Sequence, residues 1–329
     1  MSKSVVPVPG WHVMVLALVL AMVSSTAIWA QTSDSDNGAS LAHATGQTTW
    51  FPRTQVFEPL ILDPLEAQSY GSINRIANQG SKLGDDLYVP FGIGFSKGIW
   101  HRTSSKGWHH QLNVELTNFT QFEWLVVKGE RQRNMLNADY KVGFQYQFGH
   151  NDWSFRARWY HLSSHLGDDV FIRRGVSNFQ SYTASPANYE MIDFVASRYM
   201  GPFRFYAGIG AIARINSPRE QFMCQFGMMF NRHFSQGNSP FQMLAGFDVK
   251  GWQYLGYNPG LKAAAGIGYG EGRHTTVALL LEAYAGNLPY GQNEKNRPVY
   301  TNPVPTYPTE EWGGRVMWVG LGLYVNPVF

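Results

Sequence analysis

The chain has 329 residues and a formal net charge of +3, and charged residues make up 15% of it, as do aromatic residues. Ordinary soluble domains carry charge on about a quarter of their residues, so this composition indicates a surface that is not fully wetted. The near-neutral balance counts against nucleic acid as a partner, and a single cysteine, Cys224, excludes an internal disulfide.

The N-terminus has the pattern of a secretory signal peptide over residues 1–30. Lys3 precedes an apolar run from Val13 to Val23, and small residues lead to Ala30, after which we expect cleavage. A single N-terminal anchor helix is the alternative interpretation. Residues 31–50 are mostly polar and small, which predicts a flexible N-terminal segment. Residues 51–329 form the predicted barrel domain.

Beyond residue 30 the chain lacks the roughly 20 consecutive apolar residues that a membrane-spanning helix needs. From Leu87 onward, apolar and polar residues instead alternate with a period of two, which is typical of membrane β-barrels. Lipid cannot satisfy an open sheet edge, so such strands must close into a barrel. Eleven stretches are predicted as strands, with the facing of the fifth ambiguous: 89–95, 111–117, 138–148, 153–159, 189–199, 203–211, 224–230, 241–249, 261–269, 277–285 and 319–329.

Charged residues at the alternate positions favour a barrel over a soluble β-sandwich. Glu115, Arg156 and Lys262 would lie in the packed core of a sandwich, where an unpaired charge is costly. In a barrel the same residues face the lumen, where they can pair or meet water. The sequence therefore predicts an all-β fold, a transmembrane antiparallel β-barrel of the outer-membrane type.

The connections predict the strand number. Short turns at 149–152, 200–202 and 271–274 alternate with long connections at 120–134, 166–188 and 287–312. In outer-membrane barrels the short turns are periplasmic and the long loops extracellular. With the last strand ending inside at Phe329, eleven strands leave the N-terminus on the wrong side. One further strand at Thr54 to Leu62 gives about 12.

One segment carries residues suited to catalysis. His161, Ser163 and His165 continue the outward face of the fourth predicted strand and lie near the extracellular rim. Pairing of Phe148 with Trp153 across the turn would place Tyr140 opposite His161. A histidine and a serine two residues apart on one face can meet, and the imidazole can then take the hydroxyl proton, as in acyl transfer. Ser163 and His161 are therefore the candidate catalytic pair.

A third group should hold the imidazole ring in place. Tyr140, Glu190, Asp193 and Asp168 are the candidates for this orienting role. The alternative interpretation is an interfacial belt without chemistry, in which Trp159 and His165 meet lipid head groups. The histidine and serine pattern is similar to outer-membrane phospholipase A and to the lipid A deacylase. That resemblance implies a barrel that cleaves acyl chains in the outer leaflet.

Three motifs carry a wider resemblance. NADYKVG at 137–143, WYHLSSHLGDD at 159–169 and LPYGQ at 288–292 resemble the bacterial domain-of-unknown-function family 1207. The resemblance covers most of the chain after about residue 50. It implies a shared barrel and marks the histidine and serine segment as a family feature, but it supplies no activity.

Two functions from different classes stay open on the sequence alone. The first is a non-enzymatic barrel of the bacterial envelope with a structural or narrow transport role. The alternative is an outer-leaflet lipid acyl hydrolase that uses Ser163 and His161. The expected location is the outer membrane of a Gram-negative-type bacterium. The expected partners are outer-membrane lipids, lipopolysaccharide and the barrel-assembly machinery. No cofactor or metal is expected, except calcium in the case of a hydrolase.

Overall fold

The computed structural model describes residues 46–76, 87–127, 130–167, 188–215, 221–234, 239–289 and 315–326. The predicted signal peptide and most of the predicted flexible segment lie outside these residues. Thirteen strands occur in the described part of the chain: β1 Thr48–Trp50, β2 Ser69–Ile76, β3 Leu87–Thr103, β4 His109–Val127, β5 Glu130–His150, β6 Trp153–Leu166, β7 Asn188–Met200, β8 Phe203–Ile215, β9 Phe222–His233, β10 Phe241–Trp252, β11 Gly260–Glu271, β12 His274–Asn287 and β13 Arg315–Val325. In the same residues, no helix is long and apolar enough to cross a membrane.

Strands β2 to β13 form a closed antiparallel barrel of twelve strands. Each strand pairs with the next along the chain, and β13 returns to β2 over the ladder from Trp318↔Ile76 to Val325↔Ser69. The predicted strand number is therefore confirmed. The predicted position of the upstream strand is wrong, because β2 begins at Ser69 and residues 54–62 contain no strand.

The upstream prediction failed for two physical reasons. Residues 54–62 include Pro59, which cannot donate a ladder hydrogen bond. Leu60, Ile61 and Leu62 are all buried in succession, so the segment is not pleated with alternate faces. The sequence of β2 does not alternate clearly between polar and apolar residues, since its outward positions include Gly71 and Arg75 as well as Ile73.

The segment from Phe51 to Gln68, which we call the plug, fills the lumen instead. Its backbone is held by glutamines of the wall: the Val56 N–H donates to Gln111 Oε1 at 3.2 Å and the Phe57 N–H donates to Gln147 Oε1 at 2.9 Å. The plug approaches β3 closely at Gly98. A Cβ there would overlap with Gln111 Nε2 of β4 and lie 2.7 Å from Pro52 Cγ of the plug, so a larger residue would displace both.

Buried charges fix the middle of the plug. Asp63 Oδ1 lies 2.5 Å from Lys250 Nζ, and Glu66 forms two hydrogen bonds with Arg156, at 2.6 and 3.0 Å. Burial by itself raises the pKa of the Asp63 carboxyl, but the charges of Lys250 and Arg158 outweigh burial and hold that pKa well below its usual range. Burial also raises the pKa of Glu66, and Arg156 and Arg158 outweigh it in the same way. Both carboxylates are therefore ionised partners of the wall.

The predicted facing of the strands agrees with the structure. The lumen-side residues Glu115, Lys141 and Arg156 are buried, whereas outward apolar residues such as Phe144 and Leu281 are exposed. The facing of β7, which was ambiguous in the sequence, is resolved by the structure. Tyr189, Met191, Asp193, Val195 and Ser197 point inward, and the residues between them point outward.

The two ends of the barrel differ in their connections. At the turn end, tight connections join β3 to β4, β5 to β6, β7 to β8 and β11 to β12; Asn151, Gly201 and Gly272 adopt the positive φ that two-residue hairpins require. At the opposite loop end, the predicted long connection at 120–134 is wrong. Strand β4 runs to Val127 and β5 starts at Glu130, with a register shift after Gln121 that interrupts the alternation in the sequence.

Candidate active site on the outward face

Strand β6 is placed by the hairpin that joins it to β5. Because Asn151 adopts a φ of 54°, a turn of two residues is enough, and His150 pairs with Trp153. This register puts Tyr140 opposite Ser163. The pairing inferred from the sequence is wrong by two residues, since it stopped β5 at Phe148 and placed Tyr140 opposite His161.

The candidate pair lies on the outward face, as predicted. His161 and Ser163 are partly exposed and His165 is exposed, whereas Leu162 and Ser164 between them are each 1% exposed and point into the lumen. The alternation of β6 therefore keeps the predicted catalytic side chains on the side away from the plug.

Strand β7 supplies an acidic neighbour. Glu190 is directly opposite His161 in the ladder, and Asn188 is directly opposite Ser163. Directly opposed residues have Cβ atoms about 4.5–5.5 Å apart, so the Glu190 carboxylate can reach the imidazole. Asn188 was missed by the sequence analysis because the facing of β7 was ambiguous.

The other three candidates for the orienting role have different positions. Tyr140 lies beside Ser163, and its ring meets the ring of His165 edge-on with centroids 5.8 Å apart. Asp193 does not orient the imidazole, because it points into the lumen, where its carboxylate accepts hydrogen bonds from Arg158 at 2.7 and 3.0 Å. Asp168 lies outside the described residues.

The pair is adjacent but not joined. Among the hydrogen bonds of the described residues, none connects His161 to Ser163. Residues two apart on a strand are about 6.6 Å apart along the backbone, a distance that an imidazole covers by a change of side-chain rotamer. Catalytic hydrogen bonds are often formed only when substrate is bound, so this spacing is compatible with a serine and histidine pair.

Polar residues surround the pair on four neighbouring strands. This polar sector consists of Asn118 and Thr120 on β4, Tyr140 on β5, His161, Ser163 and His165 on β6, and Asn188 and Glu190 on β7. Toward the turn end the outward face is apolar again, with Leu116, Val142, Trp159 and Ile192. On β12 and β13 the outward positions are apolar from Met317 toward the turn end, whereas Asn287 and Arg315 are polar at the loop end.

The height of the polar sector can be estimated from the strand geometry. Ser163 is ten residues beyond Trp153, where β6 begins at the turn end. At ~3.3 Å per residue and a tilt of ~40°, Ser163 lies roughly 25 Å above that end, which matches the ~25 Å height of the apolar band of a membrane barrel. In a membrane barrel this height is the upper border of the apolar band, next to the lipid head groups.

Other clusters of titratable groups face the lumen. Lys141 pairs with Glu115 at 3.2 Å and Lys262 pairs with Glu282 at 3.2 Å, which ties neighbouring strands together. In the described part of the chain, no group of three or more His, Cys, Asp or Glu residues could hold a metal ion. These charges serve the wall and the plug, and the polar sector is the candidate site.

The sequence itself assigns the family. Residues 29–303 match the family described as "Protein of unknown function (DUF1207)". The chain belongs to the DUF1207 family. No curated protein matches the sequence. The resemblance noted on three motifs is thereby confirmed for this DUF1207 chain.

Several solved structures are similar to this DUF1207 protein. Outer membrane phospholipase A from Escherichia coli has 11% identity and a TM-score of 0.49, and the match covers 80% of this chain and 91% of that one. The β domain of the Bordetella autotransporter BrkA has 11% identity and a TM-score of 0.37, over 79% and 97% of the two chains. LpxR from Salmonella typhimurium has 10% identity and a TM-score of 0.33, over 79% and 100%.

Proposed function

We propose that this protein is an acyl hydrolase of the bacterial outer membrane, acting on lipid esters in the outer leaflet. One observation carries the proposal: Ser163, His161 and Glu190 are neighbours on the outward face. A hydroxyl, an imidazole and a carboxylate in that order are the groups that acyl transfer to serine requires. With the turn end in the periplasm, as is usual for such barrels, the site opens to the outer leaflet.

The residues can be given roles in a balanced mechanism. Ser163 Oγ attacks the ester carbonyl while His161 takes the hydroxyl proton, and Glu190 accepts a hydrogen bond from the other ring nitrogen. Collapse of the tetrahedral intermediate breaks the ester bond, and His161 returns the proton to the departing alcohol. Water then attacks the acyl-serine with His161 again as the base. The products are a fatty acid, the alcohol and the free Ser163.

The surroundings of the pair suit a lipid substrate. Head groups would meet the polar sector, and an acyl chain would extend toward the turn end over an apolar surface. That surface begins two residues below His161 with Trp159, whose ring stacks on Phe144 with centroids 6.0 Å apart. Glycerophospholipid and lipopolysaccharide both carry acyl esters at this height, and they define the substrate class.

The closed lumen favours a site on the outside. The plug occupies the interior with buried side chains, including Phe57 and Leu62. A structural role, narrow transport or an interfacial belt does not require this arrangement of Ser163, His161 and Glu190 on the outward face. A lipid hydrolase uses it.

Fatty acid release by the purified, refolded barrel tests the proposal. We expect release from labelled phospholipid or lipopolysaccharide, assayed with and without calcium. Ser163→Ala and His161→Ala should each abolish it, and the double variant should be no worse, because the two residues act as a unit. Glu190→Ala should lower the rate by a factor on the order of 10²–10⁴.

Ser164→Ala is the matched control. It removes the same hydroxyl from the adjacent residue, which faces the lumen, and should leave the rate nearly unchanged. If the wild-type barrel releases no fatty acid from either lipid, the interfacial belt is the correct interpretation. If Ser163→Ala retains full activity, the chemistry lies elsewhere on the molecule.

A further inference from the structure

The lumen wall carries a cluster of basic side chains that the plug neutralises. Asp63 of the plug lies between Lys250 at 2.5 Å and Arg158 at 4.0 Å. Glu66 of the plug lies 2.6 Å from Arg156 and 3.6 Å from Arg158. Arg156, Arg158 and Lys250 thus converge on two carboxylates that do not belong to the wall. We call these three residues the basic cluster.

The wall does not complete this cluster by itself. Arg158 also pairs with Asp193 of β7 at 2.7 Å. For Arg156 and Lys250, the plug carboxylates are the only ion-pair partners among the described residues. Burying a charge without a partner is strongly unfavourable, so with the plug absent these two side chains need water or another anion. Arginine in particular binds carboxylate and phosphate through two parallel hydrogen bonds, as it binds Glu66 here.

The plug can leave the lumen without unthreading. Its N-terminal end continues from β1, which pairs Thr48 with Arg102 next to the turn after β3. Its C-terminal end continues into Ser69, which pairs with Val325 at the end of β13 and hydrogen-bonds Gly94 in the middle of β3. The 18 residues from Phe51 to Gln68 therefore form a loop between β1, at the turn end, and the start of β2. An outward swing of this loop breaks the hydrogen bond from the Phe51 N–H to the Ile99 carbonyl, the packing of Phe57 and Leu62 against the wall, and the ion pairs, but no strand of the barrel.

We propose that the basic cluster is a binding site for an anionic solute carrying carboxylate or phosphate groups, and that the plug occupies it as an internal substitute. Withdrawal of the plug toward the turn end exposes the site and opens a passage along the barrel axis. Asp63 and Glu66 hold the passage closed because they make the contacts that the solute makes. This second activity is independent of the outward site, since Ser163 and His161 lie on the other side of the wall.

Conductance across planar lipid bilayers tests the passage. The full refolded barrel should conduct rarely, whereas Asp63→Asn combined with Glu66→Gln should raise the open probability roughly tenfold or more, because both ion pairs are weakened. The current should favour anions, and adding Arg156→Gln and Lys250→Gln should remove that preference. Asp152→Asn is the control: it breaks an exposed ion pair with Arg273 at the turn end and should leave conductance unchanged. A non-conducting double variant, or a cation-selective current, overturns the proposal.

A second measurement leaves the basic cluster and its plug carboxylates intact. Leu62 is 1% exposed inside the plug, so Leu62→Cys in a Cys224→Ser background should react slowly with a bulky maleimide. Citrate or inorganic phosphate should accelerate this labelling over chloride at equal ionic strength, because these anions compete for the basic cluster. Labelling that is equally slow in all three salts contradicts the binding site, whatever the conductance of the variants.

Discussion

Phe144→Arg tests which surface of the barrel meets lipid. Phe144 is outward, 54% exposed and stacked on Trp159. It lies six residues from His150 at the turn end of β5, which places it roughly 15 Å up an apolar band ~25 Å high, close to the midplane. An arginine at that depth should lower the free energy of unfolding by about 2–4 kcal/mol.

The assay is a denaturant titration of the barrel refolded into lipid vesicles. His150→Arg is the matched control, because His150 is on the same strand and the same face but at the border of the band, where the cost should be about 0–1 kcal/mol. Because both variants introduce the same arginine, a difference between their losses of stability reports the depth of each position in the membrane. Equal losses for the two variants would refute the membrane placement of the wall.

Three further predictions concern the plug and the N-terminus. Gly98→Ala should destabilise the barrel by about 1–3 kcal/mol in the same titration, because the new methyl group collides with the Gln111 amide that holds the plug and with Pro52 of the plug. Gly71→Ala, whose Cβ meets its first neighbour at 3.7 Å, should be nearly neutral. Because the folded-state pKa values of Asp63 and Glu66 are lowered, their stabilisation is complete above a pH of about 4 and is lost as the pH falls further. The rate of maleimide labelling of Leu62→Cys, divided by the rate for the denatured protein at the same pH, should therefore be constant between pH 5 and 8 and rise only below about 4; the ratio removes the pH dependence of the thiolate itself. Mass spectrometry of the mature protein should find an N-terminus directly after Ala30, and an intact Met1 in the outer-membrane fraction would contradict this.

The strands of the barrel wall were predictable because the signals that define them are local in the sequence. A period of two fixes the face of each side chain, and turn residues such as Gly201 and Gly272 mark where strands reverse. The parity of long and short connections then required an even strand count. What the sequence could not locate was the twelfth strand, because β2 has outward positions as dissimilar as Gly71, Ile73 and Arg75.

The plug was not predictable from periodicity, because its stability comes from contacts distant in the chain. Its carboxylate at Asp63 meets Lys250, 187 residues away, and its backbone at Phe57 meets Gln147, 90 residues away. Residues 51–68 mix polar and apolar residues without a regular period. The acidic residues in this segment therefore do not distinguish it from an ordinary loop. Only the assembled wall shows that Asp63 and Glu66 have basic partners.

The candidate site was predictable in part. The alternation of β6 placed His161 and Ser163 on the outward face, and Glu190 was among the candidate orienting groups. Glu190 and Asp193 are three residues apart on β7, so they point to opposite faces of the strand. Because the facing of that strand was ambiguous, the sequence could not choose between them. The ladder separates the two: Glu190 lies opposite His161 on the outward face, whereas Asp193 forms an ion pair with Arg158 on the lumen side.

The most direct measurement of the central claim is covalent modification of Ser163. A long-chain alkyl sulfonyl fluoride reacts with a serine that a neighbouring imidazole activates, so the refolded wild-type barrel should be modified at Ser163, as identified by peptide mass spectrometry. His161→Ala should abolish the modification although Ser163 is still present, and Ser164→Ala should leave it intact. A wild-type barrel in which Ser163 stays unmodified, or in which it is modified equally with and without His161, would contradict a serine hydrolase at this site.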